Sequence, residues 1–146
     1  MWWWTKSAAL VIAAIAILGL APPAPLSARA ERQSVLSGRC QYSDEIARRR
    51  DETILVLCDA ATISRAAGSA TFDFRQRSWG SMAQFAGDMA GDKMTVSRII
   101  LRNGRSFAAT GTCEIFYRNE GGISAISCLG RTSSRSIAAN FIPSHL

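Results

Sequence analysis

Three consecutive pieces of the chain decide its fold: TGTCEIFYR (Thr110–Arg118), NEGG (Asn119–Gly122) and ISAISCLG (Ile123–Gly130). The outer pieces are rich in β-branched and aromatic residues and lack a 3.6-residue period, so they read as strands. The middle piece is a turn whose glycines are free to take positive φ. A hairpin centred between Glu120 and Gly121 sets Cys113 opposite Cys128 and, on the same face, Ile115 opposite Ile126. Directly opposed Cα atoms in an antiparallel ladder lie about 4.5–5.5 Å apart, within reach of a disulfide. The expected bridge is Cys113–Cys128.

Working towards the N-terminus, Asn103-Gly104 separates MTVSRIIL (Met94–Leu101) from RSFAATGT (Arg105–Thr112). Asn-Gly between two such runs is the strongest short hairpin cue. Its simplest register pairs Ile100 with Phe107, Val96 with Gly111 and Met94 with Cys113. One continuous apolar face then holds Met94, Val96, Ile100, Phe107, Cys113, Ile115 and Ile126. Arg98 falls on that face too and is a misfit, which either a place at an edge or a one-residue slip of register would remove.

Further upstream, ATFDFRQR (Ala70–Arg77) alternates, with Ala70, Phe72 and Phe74 facing one way and Thr71, Asp73, Arg75 and Arg77 facing solvent. Thr53–Cys58 (TILVLC) is a short apolar run suited to a buried strand, and Ile137–Ile142 (IAANFI) is a last strand ended by Pro143. In Ser78–Lys93, Trp79, Met82, Phe85 and Met89 recur at helical spacing, while Gly80, Gly87 and Gly91 oppose a long helix. One short helix near residues 79–90, or a turn-rich crossover, is expected there. The fold class is all-β: an antiparallel meander of about seven or eight strands forming a small barrel or a sandwich.

Cys40 and Cys58 are symmetric about Arg49. A Cys40–Cys58 bridge would clamp a longer hairpin, Gly38–Asp44 against Glu52–Asp59, around a polar loop. The rival connectivity crosses between the two hairpins. Each local bridge closes a loop worth about 3 kcal/mol in the chain-entropy picture.

The 146-residue chain opens with a pattern of its own. Met1–Lys6 (MWWWTK) precedes an apolar run, Ser7–Ala21, too short for the ~20 residues of a membrane span. Pro22, Pro23 and Pro25 follow, then Ala28-Arg29-Ala30, an A-x-A cleavage site. Residues 1–30 read as a cleavable signal peptide and residues 31–146 as a single exported domain, periplasmic or secreted, with no membrane span after cleavage. The competing reading is an uncleaved anchor, for which Trp2, Trp3 and Trp4 speak through the indole's preference for the membrane interface. Four cysteines in an oxidising compartment suit disulfides.

Past the leader, 14 Arg and Lys93 face 11 acidic residues. This arginine-weighted excess fits contact with carboxylates or phosphates, or simply a soluble surface. The candidate binding residues are the triplet Arg48, Arg49 and Arg50, which either grips an anionic partner or is a solvated loop neutralised by Asp44, Glu45, Asp51 and Glu52. Trp79 is the fourth candidate. It either stacks on a sugar or anchors an interface, or packs in the core.

No catalytic set stands out. The single histidine, His145, is the penultimate residue, so a Ser-His-acid triad and a histidine-rich metal site both lack parts. Asp88 and Asp92 occur in a repeated Ala-Gly-Asp and would share a face on a helix, but two carboxylates are few for calcium. Glu114 faces away from Cys113 and is expected to be solvated. No Walker loop or dinucleotide fingerprint is present, so no cofactor and no nucleic-acid partner are expected. The function class that remains is a non-enzymatic binding module of the cell envelope with a protein or glycan partner, for instance an enzyme inhibitor. A structural envelope component contacting anionic polymers, and a hydrolase using Asp88, Asp92 or Glu114, are the alternatives.

Overall fold

The structure, a computed structural model, describes residues 32–145. The signal peptide assigned to residues 1–30 lies outside the described residues. Nine strands and one helical turn follow in the order β1 (Arg32–Cys40), α1 (Asp44–Ala47), β2 (Thr53–Leu55), β3 (Ala60–Ala66), β4 (Ser69–Gln76), β5 (Gly80–Ala90), β6 (Lys93–Leu101), β7 (Ser106–Tyr117), β8 (Ile123–Arg131) and β9 (Ser136–Pro143).

Strands β3 to β9 form an uninterrupted antiparallel meander. It closes because β1 is split between two partners. Arg32–Ser37 pairs with β3, and Gly38–Cys40 pairs with Phe141–Pro143 of β9. The result is a closed eight-stranded barrel, one of the two architectures the sequence left open. Strand β2 adds in parallel to β9, beside the point where β1 leaves it.

An eight-stranded barrel has an interior just wide enough for side chains, and this one is filled. Phe72, Phe74, Phe85, Phe141, Met94, Ile99, Ile126 and Ile137 are its largest fully buried residues. Phe74 and Phe85 meet edge to face with centroids 5.7 Å apart, an arrangement aromatic pairs favour. Both disulfides formed as expected, Cys113–Cys128 and Cys40–Cys58, and the β7–β8 ladder sets Cys113 opposite Cys128 and Ile115 opposite Ile126.

Four expectations need correction. Residues 80–90 are strand β5, not a short helix: Ala83 and Phe85 point into the barrel while Met82 and Met89 are only half-buried, so the helical spacing of the large residues was coincidental. Ile99, not Ile100, faces Phe107. Ser97 is an extra residue relative to β5, and the register also shifts against β7 between Val96 and Arg98. This bulge turns Arg98 outward and Ile99 inward, which removes the misfit. Glycine at position 87 lets the bulged strand come close, since a Cβ there would overlap the Thr95 carbonyl oxygen.

Third, of the hairpin expected between 38–44 and 52–59 only the base forms, at the Cys40–Cys58 bridge, because Thr53–Leu55 pairs with β9 instead. The hairpin is β1 with β3, continued by the Gly38 and Cys40 amides donating to Asp59 O and Cys58 O, and residues 41–57 make an excursion from it. Within the excursion Ser43 caps α1 by accepting from the Ile46 amide, with Asp44 and Glu45 in the first turn. The Tyr42 hydroxyl donates to Val56 O at 2.5 Å within the segment and lies 3.0 Å from Ala138 O of β9, to which the Val56 amide also donates. Fourth, Asp73 is not solvated; it is buried on the outer wall of the barrel.

Candidate functional site

The topology sorts the connections. In an antiparallel meander alternate connections fall at the same end. The excursion after β1 and the turns after β4, β6 and β8 therefore share one mouth of the barrel, and the turns after β3, β5 and β7 share the other. The triplet Arg48–Arg50 lies in the first of these connections and Trp79 in the second, so both candidates lie at the same end. The three turns beside the triplet, residues 77–79, 102–105 and 132–135, carry Arg77, Arg102, Arg105 and Arg135 and no acid.

At the opposite end Lys93 and Arg118 are both paired: Lys93 lies 3.7 Å from Glu114 and Arg118 lies 3.7 Å from Glu120. Asp88 stands opposite Thr95 and Ser69, and Asp92 sits in the β5–β6 turn. With no helix there, the argument for a shared face of Asp88 and Asp92 lapses. Among the described residues no group of three or more His, Cys, Asp and Glu is placed to hold a metal ion, and no helix is long and apolar enough to cross a membrane.

At the arginine-bearing end, Trp79 is 59% exposed rather than packed in the core. The Arg102 guanidinium lies over its ring, 4.2 Å from the centroid, in cation–π range. The Arg102 amide donates to Met82 O at 3.1 Å, which ties the β6–β7 turn to β5. Arg105 lies over Phe107 at 5.2 Å. The β8–β9 turn is locked by Thr132, whose hydroxyl oxygen accepts from the Arg135 amide at 3.1 Å and whose hydroxyl donates to Arg135 O. Of the triplet, Arg49 makes an exposed pair with Glu45 at 3.9 Å. Such pairs contribute little. Arg48 and Arg50 are exposed and have no ion-pair partner among the described residues.

Between these loops lie two hollows. One, of about 180 Å³, has an apolar floor of Ile54, Leu101, Phe107 and Ile137 and a rim that includes Arg135. The other, of about 380 Å³, separates Asp51 and Glu52 from Arg131 and Arg135.

Sequence reading missed a second cluster. Arg75 donates to Asp73 Oδ2 at 2.7 Å, Ser81 donates to Asp73 Oδ1 at 2.6 Å, and Gln84 donates to Ser81 Oγ at 3.4 Å. Alternation alone places Asp73 on the outer face and cannot show that its cross-strand neighbours enclose it. No family model, curated protein or solved structure matches the chain.

Proposed function

We propose that the chain is an exported, non-enzymatic binding module of the cell envelope, working in the periplasm or outside the cell, and that it grips an acidic protein or anionic glycan partner with the arginine-bearing end of its barrel. The observation that carries this reading is the sorting of charge: four connections at one mouth carry Arg48–Arg50, Arg77, Arg102, Arg105, Arg135 and an exposed Trp79. The acids of that end (Asp44, Glu45, Asp51, Glu52 and Asp59) all lie in the first connection and leave the three short turns purely basic, while at the other mouth Lys93 and Arg118 are paired with Glu114 and Glu120. Guanidinium binds carboxylates through a planar fork. A closed barrel with two disulfides presents these loops with little freedom left to lose on binding. A filled interior supports loop-borne recognition over carriage of a guest inside the barrel.

Trp79 is the only tryptophan after residue 30, so its emission reports on this end alone once the leader is removed. The test is capture of partners from an envelope extract, with a parallel fluorescence titration against an oligogalacturonate. Arg48→Ala/Arg49→Ala/Arg50→Ala should lose captured partners and salt should weaken what remains. Unchanged capture by the triple variant and by Trp79→Ala would overturn this use of the loops.

A further inference from the structure

One hollow, larger than the two at the arginine-bearing mouth, is on the barrel wall. The ladders of β1, β3, β4 and β5 set Val35, Thr62, Asp73 and Gln84 in one row across four strands. The neighbouring row runs through Gln33, Ser64 and Thr71. All of these residues face outward. The middle strands carry short side chains and the flanking positions long ones, so the wall sinks into a trough of about 580 Å³. That volume is in the range of small-molecule sites, about 300–1,000 Å³.

The floor of the trough is Asp73, 9% exposed. Both its oxygens are held, one by Arg75 and one by Ser81, and Ser81 is held in turn by Gln84. The carboxylate is thereby fixed in one orientation beside a guanidinium. Their charges cancel, and the remaining walls are the hydroxyls of Thr62, Ser64 and Thr71, the carboxamides of Gln33 and Gln84, and the apolar side chains of Val35 and Ala60. Such a lining gives no net field to attract an ion. It offers a fixed acceptor next to a fixed donor, with Ser, Thr and Gln groups that do both. This is the complement of vicinal hydroxyls, each of which donates one hydrogen bond and accepts another. Val35, 69% exposed at the edge, supplies an apolar surface for a sugar ring's C–H face.

We infer that this trough is a binding subsite for a neutral carbohydrate, separate from the arginine-bearing end and independent of the function proposed for it. Asp73 and Arg75 read a pair of adjacent hydroxyls, while Thr62, Thr71 and Gln84 contact the flanking ones.

The test uses amide chemical shifts of the isotope-labelled protein titrated with three neutral trisaccharides: chitotriose, cellotriose and maltotriose. At least one should produce saturable shifts at Thr62, Thr71, Asp73 and Gln84. Asp73→Asn should weaken that binding at least tenfold. Thr71→Val, which changes only an outward hydroxyl, should weaken it several-fold in a protein whose spectrum is otherwise native. Arg48→Ala/Arg49→Ala/Arg50→Ala should leave it unchanged, which separates this site from the mouth of the barrel. The inference is overturned if none of the three sugars shifts these amides at tens of millimolar, if the shifts map to the arginine-bearing turns, or if natively folded Thr71→Val binds as the parent does.

Discussion

The guanidinium of Arg102 lies 4.2 Å from the centroid of the Trp79 ring and so joins the β6–β7 turn to the β4–β5 turn at one mouth of the barrel. The contact is exposed, which limits it to about 0.5–1 kcal/mol. Arg102→Ala and Trp79→Ala should each change stability by less than about 1 kcal/mol, and a double-mutant cycle should return a coupling of about 0.5–1 kcal/mol. Loss of the stacked cation should also alter Trp79 emission in Arg102→Ala. A coupling indistinguishable from zero, with emission unchanged, would mean the two side chains do not meet in solution.

The assignment of residues 80–90 to a strand makes a sharper prediction. A helix would bury Trp79, Met82, Phe85 and Met89 together, whereas strand β5 buries Phe85 fully and leaves Trp79 in the turn. Phe85→Ala should therefore cost about 3–5 kcal/mol, the range for removing a core phenylalanine. Equal costs for Phe85→Ala and Trp79→Ala in urea unfolding would restore the helical reading.

That contrast shows which parts of the fold were legible. The β7–β8 hairpin and its disulfide could be read because register there follows from a short turn, and a local turn constrains every opposed pair. Strand β5 could not, because two glycines and a bulge break its alternation and its large residues happen to repeat at three and four. Closure of the barrel by Gly38–Cys40 against Phe141–Pro143 is a pairing of residues about a hundred positions apart, for which no local signal exists. In the site, the placement of Arg48–Arg50 and Trp79 at one end of the barrel follows from the parity of connections, which the meander implies. The burial of Asp73 was not legible, since it depends on which strands lie on either side.

The bulge at Ser97 rests on a close approach of strands at Gly87, where a Cβ would overlap the Thr95 carbonyl oxygen. Gly122, in the β7–β8 turn, has open space around the same position. Gly87→Ala should destabilise by about 1–3 kcal/mol, as overpacking does, while Gly122→Ala should stay within about 0.5 kcal/mol. Thermal unfolding of the two variants decides the matter, and equal effects would place the bulge elsewhere.

Tyr42 predicts an alkaline limit to stability. Burial of its hydroxyl pushes its pKa up to about 12 from an ordinary 10.0. The folded state therefore holds the proton more tightly than the unfolded state does. The resulting stabilisation is fully present below pH about 10 and is lost as pH rises from there through about 12. The unfolding midpoint in urea should fall across that window. Tyr42→Phe should flatten the fall, and Tyr117→Phe, at an exposed position, should not. A slope that survives in Tyr42→Phe would assign the alkaline transition to another group.

The two disulfides close loops of similar length, with sequence separations of 18 and 15, but they stand in different surroundings. Chain entropy alone gives each about 3 kcal/mol. Cys113 and Cys128 lie inside the barrel among its best-buried residues, so Cys113→Ala/Cys128→Ala also removes sulfur atoms from a packed core and should cost more than the entropic figure. Cys40–Cys58 spans the excursion that carries α1, β2 and the arginine triplet. Cys40→Ala/Cys58→Ala should unfold at lower denaturant in turn, and its signature should be local: amide hydrogen exchange at residues 41–57 should speed up more than exchange in β7 and β8. Weakened binding by this variant at the arginine-bearing mouth, with the trough on the wall unaffected, would follow from the same loosening. Uniformly faster exchange throughout the barrel would instead mean that the bridge holds the closure of β1 on β9, not the loop.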